Sequence, residues 1–445
     1  MNLTLHRHYY LINHPSYQII LKNSYDIAII GAGAAGLLAA GSAAMLGAKV
    51  VLLEKMEKPA RKLRITGKGR CNITNMKSLE EYLQEISPEP RFLRQAFGSF
   101  FNQDIVDLLK TMGVDTKVER GQRVFPTSEK AWDVAEGLIK WVKSLNVEIY
   151  NNSQIENIIV DEHIIKGIKV KNTKSGLIDT VHSKCVIIAT GGKSYPATGS
   201  TGDGYQFAKL VGHKIENLRP SLVGIETKTV YNMTIGLNLR NVNATLWIDG
   251  KKNISEFGEL VFTEYGLDGP IILQLSRLIV DSLINGKKVE ISLDLKPALD
   301  YQKVEARIQR DIANSSRMNI ATLLKELLPS QLIDTFIEIL SIDPLKPVNQ
   351  LNIKDKKNLI NLLKDFRIEA TNFKGWDEAI VTAGGVSIKE INPKTMESKI
   401  VSNLYFAGEV IDVDGNTGGY NLQIAFSTGW LAGNSAAKKV LESTL

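Results

Sequence analysis

Apolar residues fill Tyr25–Ile30 (YDIAII), and from Ile27 to Ala48 the chain runs 22 residues without a charge. That length is enough to span a bilayer. The run nevertheless holds five glycines, with Gly31, Gly33 and Gly36 bunched just after the β-rich hexad. A short buried strand, a glycine turn and an Ala/Leu-rich helix account for the pattern without lipid. A second strand, AKVVLLE (48–54), closes on Glu54. Strand patterns return at 185–189 and 404–407, each running into glycines. Beyond about residue 201 the pattern first alternates, as in SLVGIET (221–227), NATLWIDG (243–250) and KKVEISLDL (287–295), which predicts β structure. YGLDGPIILQLS (265–276) reads as a glycine turn into a helix. From Tyr301 to Phe366 helical spacing takes over, as in IATLLKELL (320–328) and KKNLINLLKDF (356–366), punctuated by Pro329 and Pro344. The expected architecture is a three-layer, Rossmann-like α/β domain (24–200 and 367–445). A β-rich segment (201–300) and a helical subdomain (301–366) interrupt it.

Length and composition narrow the class. At about 100–200 residues per domain, 445 residues suggest two or three domains. With 44% apolar and 23% charged residues, wholesale disorder is excluded. The net charge of +6 permits an anionic ligand, but no dense Lys/Arg block calls for nucleic acid, so none is expected as a partner. Cys71 and Cys185 form no CxxC, which argues against a redox disulfide or a cysteine zinc site and for a reducing, cytoplasmic location. Residues 1–23 lack the unbroken apolar core of a secretory signal and read as a mobile extension. Its three histidines, His6, His8 and His14, read as part of a polar tail, and no metal site is expected.

Four segments carry chemistry. In the first, Gly31-Ala-Gly-Ala-Ala-Gly36 sits between a strand and a helix pattern. Gly31 suits the tight turn, Gly33 lets the backbone approach a pyrophosphate, and Gly36 lets helix and strand pack closely. The free N–H groups and the positive dipole end of the helix would hold that pyrophosphate. Glu54 is placed to accept from ribose hydroxyls and would repel a 2′-phosphate, so FAD or NAD is favoured over NADP.

The second segment, Lys58–Asn75, is basic, glycine-broken and rich in Asn and Thr. It reads either as a solvated loop or as a strip beside a phosphate-bearing cofactor. On the second reading Arg61 and Lys62 neutralise phosphate, while Arg70 and Asn72 offer donors near the reactive ring. Cys71 reads as a packed small side chain rather than a nucleophile, because no histidine near it in sequence would activate it. The third segment joins the 185–189 strand through Thr190, Gly191 and Gly192 to Tyr195–Gly204, where Asp203 is placed to cap a helix. In the fourth, the 404–407 strand meets Gly408 and Glu409, and Gly418-Gly419 opens a helix of about 16 residues from Tyr420. Glu409 can accept from sugar-alcohol hydroxyls, and the new helix would direct its positive end at a second part of the ligand.

Five ordered motifs, at 31–36, 61–75, 189–205, 266–276 and 407–429, resemble the hallmarks of the bacterial aminoacetone-oxidase-like, or BaiN-like, flavoproteins. These belong to the two-dinucleotide-binding-domain class. The resemblance covers most of the chain. Lys68 stands where that family usually has glycine, and residues 1–23 precede its usual start. The resemblance implies noncovalent FAD, with the pyrophosphate at Gly31–Gly36 (including Ala34 and Ala35) and the adenosine ribose at Glu54 and Lys55. It implies adenine against the backbone near Ile155. Ribityl and flavin would lie against Arg61, Lys62, Arg70, Cys71, Asn72, Thr190, Gly191, Gly192, Gly408, Glu409, Gly419, Tyr420, Asn421 and Leu422.

No side chain announces itself as a general base, which suits chemistry carried by a cofactor. Arg70, Tyr195, Tyr265 and Tyr420 are the candidate substrate contacts, each with packing or flavin contact as its plainer reading. The expectation is an FAD oxidoreductase moving a hydride between a small organic substrate and flavin N5, with NAD(P)H as electron donor. The alternatives are an oxygen-using oxidase of a small amine, an RNA-modifying flavoprotein, and a non-catalytic flavin-binding protein. A second G-x-G-x-x-G is absent, so a nicotinamide would bind without its own Rossmann domain.

Overall fold

The computed structural model describes residues 24–314 and 318–442. The segment 1–23, with His6, His8 and His14, lies outside them. The described chain forms two compact units, one of them Pro220–Ile380 and the other comprising the remainder.

The larger unit is built on a Rossmann-type sheet. Strands Glu148–Tyr150, Val50–Leu53, Tyr25–Ile30 and Ile178–Ile188 lie side by side in parallel, and Leu404–Phe406 pairs with the far edge of the last. The start of Ile178–Ile188 pairs antiparallel with Ile164–Asn172, which pairs in turn with Ser153–Asp161. Central parallel strands are covered on both faces, so they are apolar throughout rather than alternating. Ile27, Ala28 and Ile29 are accordingly fully buried.

The charge-free run resolves into strand Tyr25–Ile30 and a helix of 12 residues, Ala34–Met45. Among the described residues no helix is long and apolar enough to cross a membrane. The last helix, Tyr420–Glu442, has 23 residues rather than about 16. Its glycines do not stop it, because they are contact points. A Cβ at Gly429 or Gly433 would collide with the carbonyl oxygen of Ala35 or Ala39 on helix Ala34–Met45.

In the unit Pro220–Ile380, six strands close into an antiparallel barrel. Their order is Ile225–Thr227, Gly266–Asp268, Lys251–Phe262, Asn238–Ile248, Val289–Asp294 and Phe366–Phe373. The glycine turn expected at 266 is thus itself a barrel strand, followed by helix Pro270–Ile284. Helices Tyr301–Asn314, Ile320–Leu327, Ser330–Leu340 and Ile353–Lys364 share one apolar core with the barrel, in which Phe336 meets Phe366 edge-on at 5.7 Å. They are therefore not a separately cored subdomain.

The units divide at 219/220 and 380/381, not at 200 and 367. Helix Asp203–Leu210 stays with the sheet because Tyr205, Phe207 and Ala208 are buried in that unit's apolar core, and Lys55 pairs with Asp203 at 2.7 Å. Strand Phe366–Phe373 goes with the barrel because it completes the pairing with Val289–Leu293.

Candidate cofactor site

The carboxyl ends of four parallel strands are tied together by backbone hydrogen bonds. Gly31 N–H donates to Leu53 O (2.8 Å), Ala189 N–H to Ile30 O (2.9 Å) and Ala407 N–H to Ile188 O (3.0 Å). The three chemistry-bearing stretches around residues 31, 190 and 408 therefore leave one sheet edge side by side. Open α/β sheets bind ligands at that edge.

At the glycine turn Gly31 has φ +99°, and a Cβ there would lie 2.6 Å from the Ala189 carbonyl oxygen. A Cβ on Gly36 would strike the Gly31 carbonyl oxygen. Around Gly33 nothing lies within 4 Å of such an atom. Two of the glycines are thus demanded by protein packing, and the third opens space. No side chain caps helix Ala34–Met45, so its first-turn N–H groups remain available to an anion.

Glu54 follows strand Val50–Leu53 and accepts from Ala32 N–H (3.0 Å) and Met56 N–H (2.9 Å). Burial pushes its carboxyl up, and these two donors only partly offset that. Arg61 contributes a further favourable charge. The hairpin bearing Ile155 is joined here, with Ser153 N–H donating to Glu54 O at 2.8 Å. Lys55 bonds Thr201 and Asp203. Asp203 does not cap the helix as expected; Gly202 holds that position, and the carboxylate is spent on Lys55 and the Thr201 hydroxyl.

Glu409 is the hub of the second half. It accepts from Lys62 Nζ (2.7 Å), Ser194 Oγ (2.7 Å) and Thr382 N–H (2.8 Å). Burial alone would raise its carboxyl, but Lys62 and the hydrogen bonds outweigh burial and hold it below the ordinary value. Lys62 therefore neutralises a carboxylate in this structure. Gly192 lies against this cluster, where a Cβ would meet Glu409 Oε1 at 2.7 Å. At Gly191 (φ +73°) a Cβ would come within 2.6 Å of Ser200 Oγ. The Thr190 side chain fills the space over Gly204. Gly408 (φ +77°) donates to Thr428 Oγ1 at 2.9 Å, and a Cβ there would press on Ala35.

The start of the last helix closes the cradle. Gly419 (φ +98°) passes so near Thr74 that a Cβ would lie 2.5 Å from its carbonyl. With the Asn72 amide turned so that both ends are satisfied, its oxygen accepts from Gly419 N–H (3.1 Å) and its nitrogen donates to Thr74 O (3.2 Å). Asn421 clasps Gly415 through both amide groups, at 2.6 and 2.8 Å. Leu422 is half-buried beside it.

Three of the four candidate substrate contacts have protein partners in the structure. Arg70 is occupied elsewhere: its guanidinium pairs with Glu119 (2.6 Å) and Glu129 (3.2 Å) and lies 4.3 Å from the centre of the Phe125 ring. Two carboxylates and a π-face from residues 119–129 compete for that charge, which no local reading of 58–75 reveals. Tyr420 is buried, packed edge-on against Tyr82 at 4.7 Å. Tyr265 lies in the unit Pro220–Ile380, where its hydroxyl donates to Asp268 (2.9 Å) and Lys374 sits over its ring. Cys71 is fully buried, and burial pushes its thiol up to about 12. It is a packed side chain here.

Ser194, Thr382, Tyr205 and Thr428 were not singled out from sequence. Ser194 sits inside the 189–205 motif, and the Gly384-Gly385 pair just after Thr382 was the available signal for a turn at that place.

The residues fit an FAD. There is an uncapped helix start over open space at Gly33, a carboxylate at the adenosine end of a Rossmann turn, and a second carboxylate with glycine-lined backbone where the flavin half would lie.

Comparison with known proteins agrees. The family described as "HI0933-like protein Rossmann domain" matches residues 25–435. A 3-dehydro-bile acid delta(4,6)-reductase from Clostridium scindens is 31% identical, covering 88% of this chain and 93% of that protein. Proteins named ribosomal RNA dihydrouridine synthase are also 31% identical, from Haemophilus influenzae (88% of this chain, 94% of theirs) and Escherichia coli (86% and 91%). In fold, the chain resembles a 3-ketosteroid delta1-dehydrogenase from Sterolibacterium denitrificans, with TM-score 0.52 and 14% identity over 94% of this chain and 100% of that one. Motifs, cradle and relatives together make this chain a member of the HI0933-like Rossmann family, an FAD-binding flavoprotein oxidoreductase.

Proposed function

We propose that this enzyme is a reductase that delivers a hydride to a carbon–carbon double bond conjugated to a carbonyl group, with NAD(P)H as the source of electrons. The observation that carries the reading is that relatives named for different substrates share one chemical change. A delta(4,6)-reductase of a 3-dehydro-bile acid and a dihydrouridine synthase both saturate such a bond.

FAD, when bound, supplies a two-electron hydride carrier. The chain's own residues do the rest. The first turn of helix Ala34–Met45 binds pyrophosphate, and Glu54 binds ribose. Lys62 keeps Glu409 ionised so that its remaining acceptor capacity can orient a sugar-alcohol hydroxyl. The Gly418-Gly419 turn brings the start of the last helix, with its positive dipole end, to the flavin half of the cradle, where it favours a reduced, anionic ring.

A small enone is the preferred substrate class. The two ribosomal RNA dihydrouridine synthases favour a second reading, a uracil base within RNA. Two assays divide these. Anaerobic holoprotein is mixed with NADH or NADPH to bleach the flavin, then with cyclohex-2-enone. In parallel, ribosomal RNA from a strain lacking the gene is analysed for dihydrouridine. Reoxidation by the enone with unchanged RNA supports the first reading. Loss of dihydrouridine supports the second. Reoxidation by oxygen only, with turnover of small amines, would overturn both in favour of an oxidase.

A further inference from the structure

We propose that Tyr195 is a catalytic residue of this site, its phenol donating a hydrogen bond to the carbonyl oxygen of the substrate. This rests on the double-bond reduction set out above and assigns that reaction its oxyanion-stabilising group.

Four observations point to it. First, the phenol has no hydrogen-bond partner among the described residues. Of the seven tyrosines described in the Rossmann unit, four have a hydrogen-bonded hydroxyl: Tyr25 and Tyr150 share Glu148, Tyr82 meets Thr74, and Tyr205 reaches Glu409 O. Tyr195 is half-buried and makes no side-chain hydrogen bond among the described residues. Phenols partly removed from water usually find an acceptor.

Second, its backbone lies in the left-handed region, at φ 52° and ψ 60°. That region is sparsely populated by bulky residues, and here proline follows directly. Such conformations persist only where the surroundings over-determine them, and they gather at functional sites.

Third, the surroundings do over-determine it. On one side Ser194 is fully buried and bonded to Lys62 (2.6 Å) and Glu409 (2.7 Å). The N–H groups of Lys193 and Ser194 both donate to Thr382 Oγ1, at 2.8 and 3.2 Å. On the other side Thr198 holds the Tyr195 carbonyl through its N–H (2.9 Å) and hydroxyl (2.7 Å). Fourth, Tyr195 directly follows the serine that shares Glu409 with Lys62, so its backbone lies beside the cluster assigned above to the flavin half.

The electron count closes. A hydride adds to the carbon β to the carbonyl, the π pair moves toward the carbonyl oxygen, and the Tyr195 O–H holds the charge that develops there. The α carbon then takes a proton from water. NAD(P)H supplies the two electrons by way of the cofactor.

The test uses holoprotein reduced anaerobically with one equivalent of dithionite, so that it does not depend on the nucleotide. Cyclohex-2-enone is added and flavin reoxidation is followed by absorbance. Binding of the same enone to the oxidised holoprotein is followed by the shift in the flavin spectrum. Tyr195→Phe is expected to bind FAD and melt like the wild type, to bind the enone about tenfold more weakly, and to reoxidise about 100-fold more slowly, the loss seen when one oxyanion donor is removed. Tyr195→Asn tolerates the left-handed backbone and keeps or raises the Tm while losing the same reaction. A Tyr195→Phe variant that matches wild type in enone binding and reoxidation overturns the proposal and leaves the double-bond reading intact. A wild type that does not react with enone overturns that reading, and the role given to Tyr195 with it.

Discussion

Replacing Lys62 with methionine tests whether the Lys62–Glu409 pair organises the flavin half of the cradle. Methionine keeps the apolar stem and removes the charge. The two groups sit 2.7 Å apart, with side chains 25% and 20% exposed. Removing one partner of a fully buried ion pair costs about 3–5 kcal/mol, because the other charge is left uncompensated. Here part of each side chain still meets water, and Ser194 and Thr382 continue to donate to Glu409. The expected loss is therefore about 2 kcal/mol, a fall in Tm of roughly 2–4 °C for a unit of this size. Flavin-stripped protein should be used, since bound ligand would mask the change. The pH dependence gives the sharper check. In the wild type Glu409 is held below its ordinary value, so its contribution is present above that value and lost as pH falls. Without Lys62, burial dominates and the carboxyl rises above its ordinary value. The neutral acid needs no counter-charge, so the deficit of the variant against wild type should shrink between pH 8 and pH 5. Calorimetry at both values measures it. An equal deficit at the two values, or none at pH 8, would refute the assignment of Lys62 as the counter-ion.

Other outcomes are expected from the same geometry. Gly33→Val should lose FAD while the stripped protein stays within about 0.5 kcal/mol of wild type, because the added atoms enter open space. Gly36→Ala should instead cost about 1–3 kcal/mol by overpacking the Gly31 carbonyl. Full retention of FAD by Gly33→Val would displace the pyrophosphate from this turn. Ser398 Oγ accepts from Ile400 and Val401 N–H (3.0 and 2.9 Å), so its own proton points to His213 Nε2 (2.8 Å), and Nδ1–H is left for Glu390 (3.1 Å). Burial depresses His213, with Glu390 opposing only in part. Its stabilising effect is therefore complete above the ordinary value of 6.5 and is lost as pH falls below it, with a slope of at most about 1.4 kcal/mol per pH unit. His213→Asn should remove that slope from urea titrations, and an unchanged slope would place its origin elsewhere. Finally, burial raises both thiols to about 12, so Cys71 and Cys185 should react with a thiol reagent only after unfolding. Rapid labelling of the native protein would contradict their burial.

The local alphabet of the chain made much of this readable. Strand, turn and helix around Gly31–Gly36 follow from residues within one window: an apolar hexad, glycines at the turn, and a helix-forming run. Glu54 was legible as the end of the second strand for the same reason. The last helix was underestimated because Gly429 and Gly433 weaken a helix judged alone, whereas in the fold they admit the backbone of its neighbour. The β-rich segment is legible in the sequence but its closure into a barrel is not, since closure depends on the pairing of Phe366–Phe373 with strands more than seventy residues earlier.

By itself, then, the order of residues determined where the backbone turns, which strands are buried on both faces, and that a dinucleotide-type cradle is present, because backbone preference and burial pattern act over a few residues. The tertiary structure alone decided which charges meet. Lys62 meets Glu409, Arg70 pairs with Glu119 and Glu129, and the Thr382 N–H donates to Glu409. A long cationic side chain takes whichever carboxylate the fold brings within hydrogen-bond reach, and those carboxylates lie up to 347 positions away along the chain.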